Sequence, residues 1–218
     1  MPAAHKPEIP EAAQSRAEEI ANAVSHGIGL LAILGAAPFL IAAASRHGRI
    51  SSILGVALFA GSAALLYLAS TLYHAAPAHR KGFFRMLDHL AIFFLIAGTY
   101  TPFALGPLRG TFGWTMFALV WLLAFIGVLF KVFARFRFPY VSTAMYIGMG
   151  WLAVFIIRPL TAHMPLAGLL WLVAGGLAYT GGTLFYHSER LKFSHLIWHL
   201  FVLAGTACHF VAILCYAT

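Results

Sequence analysis

Seven long runs of apolar residues occupy most of the sequence, and they limit what the chain can fold into. We place them at residues 20–44, 51–73, 87–105, 111–130, 140–157, 166–186 and 194–216. Each is close to the length of about 20 residues that a helix needs to cross a hydrocarbon core. Their backbone groups must be paired within the bilayer, and the runs lack the alternation of barrel strands. The sequence therefore predicts an all-α membrane protein, a bundle of seven transmembrane helices.

The composition excludes most other classes of protein. Only 9% of the residues are charged and 61% are hydrophobic, whereas a soluble domain has about 25% charged residues. The formal net charge of +8 is not accompanied by basic residues interleaved with aromatic ones, so we predict no nucleic-acid partner. Cys208 and Cys215 are roughly 10 Å apart along one helix, too far for a mutual disulfide. The predicted partner is the lipid bilayer, and the sequence leaves the oligomeric state open.

The domain organisation is simple. Residues 1–17 are polar and rich in proline and alanine, which predicts a short, disordered cytoplasmic tail. The first apolar run is longer than the roughly 7–15 residues of a signal-peptide core, so we do not predict a cleaved leader. The connections between the runs are short, so residues 18–218 are predicted to form a single seven-helix transmembrane domain.

The basic residues of the loops predict the orientation. The side of the N-terminus has Lys6, Arg16, Arg80, Lys81, Arg85, Lys131, Arg135, Arg137, Arg190 and Lys192. The opposite side has only Arg46, Arg49, Arg109 and Arg158. Cytoplasmic loops carry the excess of lysine and arginine. The N-terminus is therefore predicted in the cytoplasm and the C-terminus outside, in a multi-pass protein of the cell membrane.

Unusual polar side chains lie at the cytoplasmic ends of four runs. They are Glu19, Asn22 and His26 on one helix face, Ser70 and His74 on another, Asp88, and the pair His195 and His199. Residues spaced three, four or seven apart share a face of a helix. Ionisable side chains within membrane spans are costly and usually functional. Their convergence in one layer of the membrane predicts a site near the cytoplasmic face.

Three of these side chains suggest a metal site. His74, His195 and His199 would give three imidazole ligands and leave one position open, as in catalytic zinc sites. Imidazole favours Zn²⁺, although copper, iron and nickel also accept it. Asp88 would then orient or deprotonate a water at the open position, or bind the metal through that water. Ser70 would hydrogen-bond a substrate carbonyl or the developing oxyanion.

The combined motifs resemble those of a known superfamily. Glu19-x2-Asn22-x3-His26, Ser70-x3-His74 followed by Asp88, and His195-x3-His199 are similar to the three motifs of the progestin and adiponectin receptor superfamily. Its bacterial branch is the haemolysin III family, and the resemblance spans all seven runs in order.

The resemblance implies a function and a site. His74, His195 and His199 would bind zinc on the cytoplasmic side, and Asp88 would hold the water there. The relation to alkaline ceramidases implies hydrolysis of a lipid amide. The Glu19, Asn22 and His26 side chains would brace the ligands, form a proton path, or belong only to an interfacial hydrogen-bond network.

Three functions compete at this stage. The first is a zinc-dependent hydrolase of a lipid amide or ester, with Asp88 as general base and a long acyl chain lying between the helices. The second is a non-catalytic sensor or regulator of membrane state, in which zinc is a structural pin between the second and seventh spans. The third is a pore-forming or haemolytic protein, suggested by the family's label but without an evident inverted repeat.

Several other residues have simpler interpretations. We interpret His209 as a packing residue, His187 as an interfacial histidine rather than a spare ligand, and His89 as lying outside the site. Two glycine pairs, at 175–176 and 181–182, predict close packing of the sixth span against its neighbours.

Overall fold

The computed structural model describes residues 14–46, 49–188 and 191–218, so most of the tail predicted at residues 1–17 lies outside the described ranges. Within them the chain forms eight α-helices and no strand. Their bounds are α1 Arg16–Ser45, α2 Ile50–Ala75, α3 Ala78–Leu105, α4 Thr111–Ala134, α5 Pro139–Trp151, α6 Ala153–Leu160, α7 Leu166–Tyr186 and α8 Ser194–Tyr216. The consecutive α5 and α6 form one span, which gives seven segments long and apolar enough to cross a membrane among the described residues. The predicted all-α membrane bundle is confirmed.

The helices α2 and α3 form the centre of the bundle. Among the spans, α2 has the largest buried share of its apolar window, 56%, against 22% for α1. The α1 helix packs against both α2 and α8, α7 packs against α8, and α4 packs against α3. The α5 helix contacts α3, α4 and α7. These contacts close the helices into a ring, in which α1 joins α2 to α8.

The helix ends follow local capping signals rather than the apolar runs alone. The α7 and α8 helices have the predicted bounds of 166–186 and 194–216. The α3 helix begins at Ala78 instead of residue 87, because a charged, helix-forming stretch precedes its apolar run. The α1 helix begins at Arg16, where Ser15 and Glu18 form a reciprocal capping box that pairs first-turn N–H groups.

The fifth span is broken at Leu152. Its N–H donates to the carbonyl of Met149 at 3.3 Å, which is a tighter turn than an α-helix makes. The Tyr100 hydroxyl donates to that same carbonyl at 2.9 Å. Polar backbone groups released by a helix break inside a membrane need such a substitute partner. The predicted span at residues 140–157 is therefore two helices, with the break stabilised from α3.

The structure buries one of the basic residues that the sequence analysis counted as loop charges. Lys131 is only 2% exposed, and its Nζ lies 3.4 Å from the Ser142 hydroxyl. The same Nζ is 4.6 Å from the centre of the Phe136 ring, and the Arg85 guanidinium is 3.8 Å from that ring. Phe136 follows α4 and folds back over its end, so Lys131 belongs to the interior and not to a solvated loop.

One glycine of each predicted pair supports close packing. A Cβ at Gly182 would lie 2.7 Å from the Trp198 ring, and one at Gly175 would lie 2.4 Å from the His209 ring. At Gly181 the nearest neighbouring atom would be 3.6 Å away, and at Gly176 nothing lies within 4 Å. The contact between α7 and α8 therefore depends on Gly175 and Gly182.

Adjacent alanine substitutions at this contact should differ in effect. Gly182→Ala forces a methyl group into the Trp198 ring, and overpacking of this kind costs about 1–3 kcal/mol. Gly181→Ala adds a methyl group at an ordinary contact distance and improves helix propensity. We expect thermal unfolding of the detergent-purified protein to occur at a lower temperature for Gly182→Ala only. Equal melting temperatures would contradict the packing role of Gly182.

Candidate metal centre

The three predicted histidines meet at one end of the bundle. Each of His74, His195 and His199 offers a ring nitrogen, and these nitrogens lie within 4.8 Å of one another. The ring centroids are 4.7–5.1 Å apart. His74 and His199 are buried, and His195 is half-buried. They meet because α2 ends and α8 begins at the same side of the membrane, with the α8 pair one turn apart.

The start of α8 is anchored by α1. Phe193 precedes α8 in the left-handed conformation, with φ 58°, which is rare for a residue with a side chain. Its N–H donates to the Glu18 carboxylate at 2.9 Å. The carboxylate that caps α1 thus also binds the chain just before the first histidine of α8, which fixes the direction in which His195 leaves the backbone.

Glu19 determines the tautomer of His74. Its carboxylate oxygen lies 2.9 Å from His74 Nδ1, and a carboxylate can only accept at that distance. His74 Nδ1 therefore carries the proton, and Nε2 holds the lone pair. Lys81 pairs with the other oxygen of Glu19, which holds the carboxylate in position.

Ser25 determines the tautomer of His199 in the same way. Its hydroxyl donates to the Asn22 carbonyl at 2.8 Å, and its oxygen lies 3.0 Å from His199 Nδ1. Since a hydroxyl has one proton, Ser25 must accept from His199, so Nδ1–H donates and Nε2 keeps a lone pair. Two imidazoles of the cluster thus present Nε2 as a ligand atom because their outer nitrogens are engaged.

The predicted polar face of α1 lies against the cluster. The Asn22 carbonyl holds Ser25, and Glu19 contacts His74 directly. His26 stacks on His199, with ring centroids 3.6 Å apart and planes 7° from parallel. Neither ring nitrogen of His26 has a hydrogen-bond partner among the described residues, so the ring acts on His199 through its face. Glu19, Asn22 and His26 are thereby brought together with the histidines.

The residues fit a zinc ion by their chemistry. Three imidazoles, two of which have an outer nitrogen bound to a carboxylate or a hydroxyl, are a donor set typical of Zn²⁺. Tetrahedral zinc requires ligand nitrogens about 3.3 Å apart, since its bonds to nitrogen are about 2.0–2.1 Å long. The upper limit of 4.8 Å is wider, so small side-chain rotations would close the cluster. The three histidines could hold a metal ion.

Ser70 lies on α2 and Asp88 lies on α3, the two helices at the centre of the bundle. Ser70 is completely buried one turn before His74, and its hydroxyl has no hydrogen-bond partner among the described residues. Asp88 is 7% exposed, with one oxygen 3.8 Å from His89 Nδ1. A buried hydroxyl without a partner costs about 1–3 kcal/mol, which favours a ligand or water at Ser70.

His89 and His187 lie outside the three-histidine cluster. His89 Nε2 is 3.0 Å from the Tyr186 hydroxyl, and the Tyr186 ring lies 6.0 Å from that of His195. His187 Nε2 is 2.9 Å from the Thr143 hydroxyl, and burial lowers the pKa of His187, which keeps it neutral at pH 7. Tyr186 therefore links His89 to the edge of the site, and His187 binds α5 instead of the cluster.

A cavity of about 170 Å³ lies directly beneath the site. On three helices a lining residue is one turn from a site residue: Leu66 from Ser70, Ile92 from Asp88 and Val202 from His199. Because residues three or four apart share a face, the site residues and the cavity lie on the same inner faces of α2, α3 and α8.

The far wall of the cavity reaches the lipid-facing surface. Trp151 and Val154, on either side of the break at Leu152, line the cavity and are 46% and 54% exposed. Leu177 of α7 also lines the cavity and is exposed. The lining is mostly apolar, and the cavity reaches the surface between α5–α6 and α7.

The sequence analysis did not predict two contacts of the site, those of Ser25 and Tyr186. Ser25 is three residues after Asn22 and thus on the predicted polar face, a spacing that could have identified it. Tyr186 ends α7 in a run without a polar pattern, and no sequence signal relates it to His89 or His195.

A matched pair of serines tests the role of Ser25. Ser25 and Ser62 are both buried and both donate to the carbonyl three residues earlier, at 2.8 and 2.9 Å. Only Ser25 also contacts a histidine. Loss of a partner that orients a ligand lowers metal affinity about 10–100-fold. We expect that loss of zinc affinity for Ser25→Ala, and none for Ser62→Ala, in competition titrations with a chelator. Equal affinities would contradict the orienting role.

Comparisons with known proteins agree with the motifs. The family described as "Haemolysin-III related" matches residues 14–210. The chain is 48% identical to "Hemolysin-3" of Bacillus cereus over 201 residues, 91% of each chain. It is 46% identical to "Hemolysin-3 homolog" of Bacillus subtilis (strain 168) over 200 residues, 91% of this chain and 94% of the relative.

A more distant relative is human "Monocyte to macrophage differentiation factor". The identity is 31% over 159 residues, which covers 68% of this chain and 64% of the human protein. This similarity agrees with the wider superfamily that the histidine motifs indicate. The family match over residues 14–210 extends from before α1 to well within α8 and includes every helix that forms the metal centre. The chain belongs to the haemolysin-III-related family.

Proposed function

We propose that the chain is a zinc-dependent hydrolase of a lipid amide or ester, with its site at the cytoplasmic side of the cell membrane. The observation that carries the proposal is the fixed orientation of His74 and His199. Glu19 and Ser25 occupy their outer nitrogens, which leaves Nε2 of both rings for a metal shared with His195. A bound Zn²⁺ with an open position would polarise a carbonyl and acidify water.

Asp88 has the role of general base in this proposal. A buried carboxylate can take a proton from the attacking water and return it to the leaving amine or alcohol, which contributes about 10²–10⁴-fold to a rate. Ser70 has the role of a donor to the substrate carbonyl oxygen. Its buried hydroxyl has no partner among the described residues, so it would be satisfied only when that oxygen or a water is present.

The cavity supports a substrate with a long acyl chain. Its end near Leu66, Ile92 and Val202 would place a carbonyl one turn above, among the site residues. Its opening between α5–α6 and α7 would admit the chain sideways from the bilayer, so the scissile bond need not leave the membrane. The head group would remain at the membrane surface, near the exposed edge of His195.

The orientation is part of the proposal. The end of the bundle that has the histidines also has most of the lysines and arginines, even with Lys131 counted as buried. Positive residues favour the cytoplasm, which puts the N-terminus and the metal centre there and the C-terminus outside.

A structural metal is the second candidate. The cluster joins α2 to α8, and α1 packs against both helices, so a metal there would hold the bundle together without turnover. The names of the two Bacillus relatives suggest haemolysis, but the site residues gather at one end of the bundle instead of lining a path. A regulator of membrane state with a structural zinc therefore ranks above a pore.

Substitution of Asp88 tests the catalytic proposal. Asp88→Asn keeps the size of the side chain but removes the base, so the rate should fall about 10²–10⁴-fold while zinc content stays at the wild-type level. The measurement is hydrolysis of a panel of long-chain lipid amides and esters by the detergent-purified protein, with zinc determined on the same samples. Unchanged hydrolysis in Asp88→Asn would exclude its role as base. Zinc without any hydrolysis in the wild type would favour the structural metal.

Filling the cavity tests the path of the acyl chain. Gly176 lines the cavity, and a Cβ there would have nothing within 4 Å, so Gly176→Leu should occupy the space without disturbing the bundle. We expect hydrolysis of long-chain substrates to be lost while bound zinc is retained. Gly61→Leu is the control, since Gly61 is exposed and also has open space around it. Full activity in Gly176→Leu would show that the chain binds elsewhere.

A further inference from the structure

The end of the bundle opposite the histidines contains an open cup of about 560 Å³. Arg49 precedes α2 there, whereas His74 lies at the other end of the same helix. The cup is formed where α2 and α4 begin and where α3, α6 and α8 end. The floor is tightly built, because a Cβ at Gly106 would lie 2.8 Å from the Ala217 carbonyl. This is a packed concavity between five helix ends.

The charge of the cup is positive. Arg49, Arg109 and His163 line it. All six acidic residues of the chain lie elsewhere in the sequence, and none occurs in residues 45–52, 105–113, 158–166 or 214–218. The end of α8 contributes a partial negative charge of about half an elementary charge, which two guanidinium groups exceed. No acidic side chain that the structure describes lines the cup with these arginines.

The cup also presents hydrogen-bond donors. Both α2 and α4 begin there without a side-chain cap, so first-turn N–H groups and the positive ends of two helix dipoles face this region. Ser52, in the first turn of α2, lines the cup and is 6% exposed. Its hydroxyl makes no hydrogen bond to another residue in the described part of the chain. Uncapped helix starts beside arginines are a common anion site.

We propose that this cup binds a phosphate group, either that of an anionic phospholipid in the adjoining leaflet or free phosphate. Arg49 and Arg109 supply the charge and paired N–H donors, and Ser52 and the start of α2 bind the oxygens at the floor. Phe112 at the rim is 44% exposed and offers an apolar surface beside the charge, as the glycerol backbone of a lipid requires. This site is independent of the proposed hydrolysis at the other end.

Paired arginine substitutions test the proposal. Arg49→Gln/Arg109→Gln removes both cup arginines. The control, Arg46→Gln/Arg158→Gln, removes the same charge at the same end from residues outside the cup. Each purified protein is titrated with dihexanoyl-phosphatidylglycerol, with dihexanoyl-phosphatidylcholine and with inorganic phosphate, and the midpoint of thermal unfolding is followed. Loss of two charged partners should weaken binding at least about tenfold, while the control pair should match the wild type.

The outcomes distinguish a phospholipid head group from free phosphate as the source of the bound group. Stabilisation by phosphatidylglycerol alone identifies a lipid head group, and stabilisation by inorganic phosphate as well identifies the phosphate itself. Ser52→Ala should weaken binding in either case, because it removes the buried donor without changing the charge. An equal loss of binding in the two double variants would mean that only the overall positive charge matters, and it would overturn the site. The absence of stabilisation by either anion would also overturn it. Helical circular dichroism at low temperature establishes that each variant is folded.

Discussion

The contact of α1 with both α2 and α8 is the interaction on which the metal centre depends. One face of α1 supplies a carboxylate to His74, a hydroxyl to His199 and an imidazole that stacks on His199. Each contact stabilises one orientation of the ring that it reaches, so His74 and His199 have little rotational freedom. In a bilayer such polar contacts also satisfy groups that water cannot reach. The same contacts that orient the ligands therefore hold three helices together.

Much of this arrangement could be predicted from the sequence because helical periodicity is strict. The i,i+4 spacing of His195 and His199 and the spacing of Glu19, Asn22 and His26 translate directly into shared faces. The spans follow from length and apolar composition. The order of the motifs then implied their convergence, and the positions of His74, His195 and His199 agree with it.

The remainder depends on tertiary contacts that no local pattern encodes. Lys131 reads as a loop charge, yet Phe136 folds over it and buries it. Gly148 and Gly150 precede the break at Leu152, but its stabilising partner, Tyr100, comes from a helix that is distant in the sequence. Ser25 was overlooked because a serine in a helix usually bonds only to its own backbone. Here that bond is what makes the hydroxyl oxygen an acceptor for His199.

The donor set itself argues for chemistry over structural support. Structural zinc is normally held by four protein ligands, whereas catalytic zinc keeps one position open. Among the described residues the cluster offers three. The Ser70 hydroxyl is buried without a partner among the described residues, which costs about 1–3 kcal/mol. A purely structural metal explains neither this cost nor a cavity that ends one turn below. Both features are explained if the carbonyl oxygen of a substrate accepts a hydrogen bond from Ser70 and the acyl chain of that substrate fills the cavity. The cost at Ser70 is then recovered each time a substrate binds.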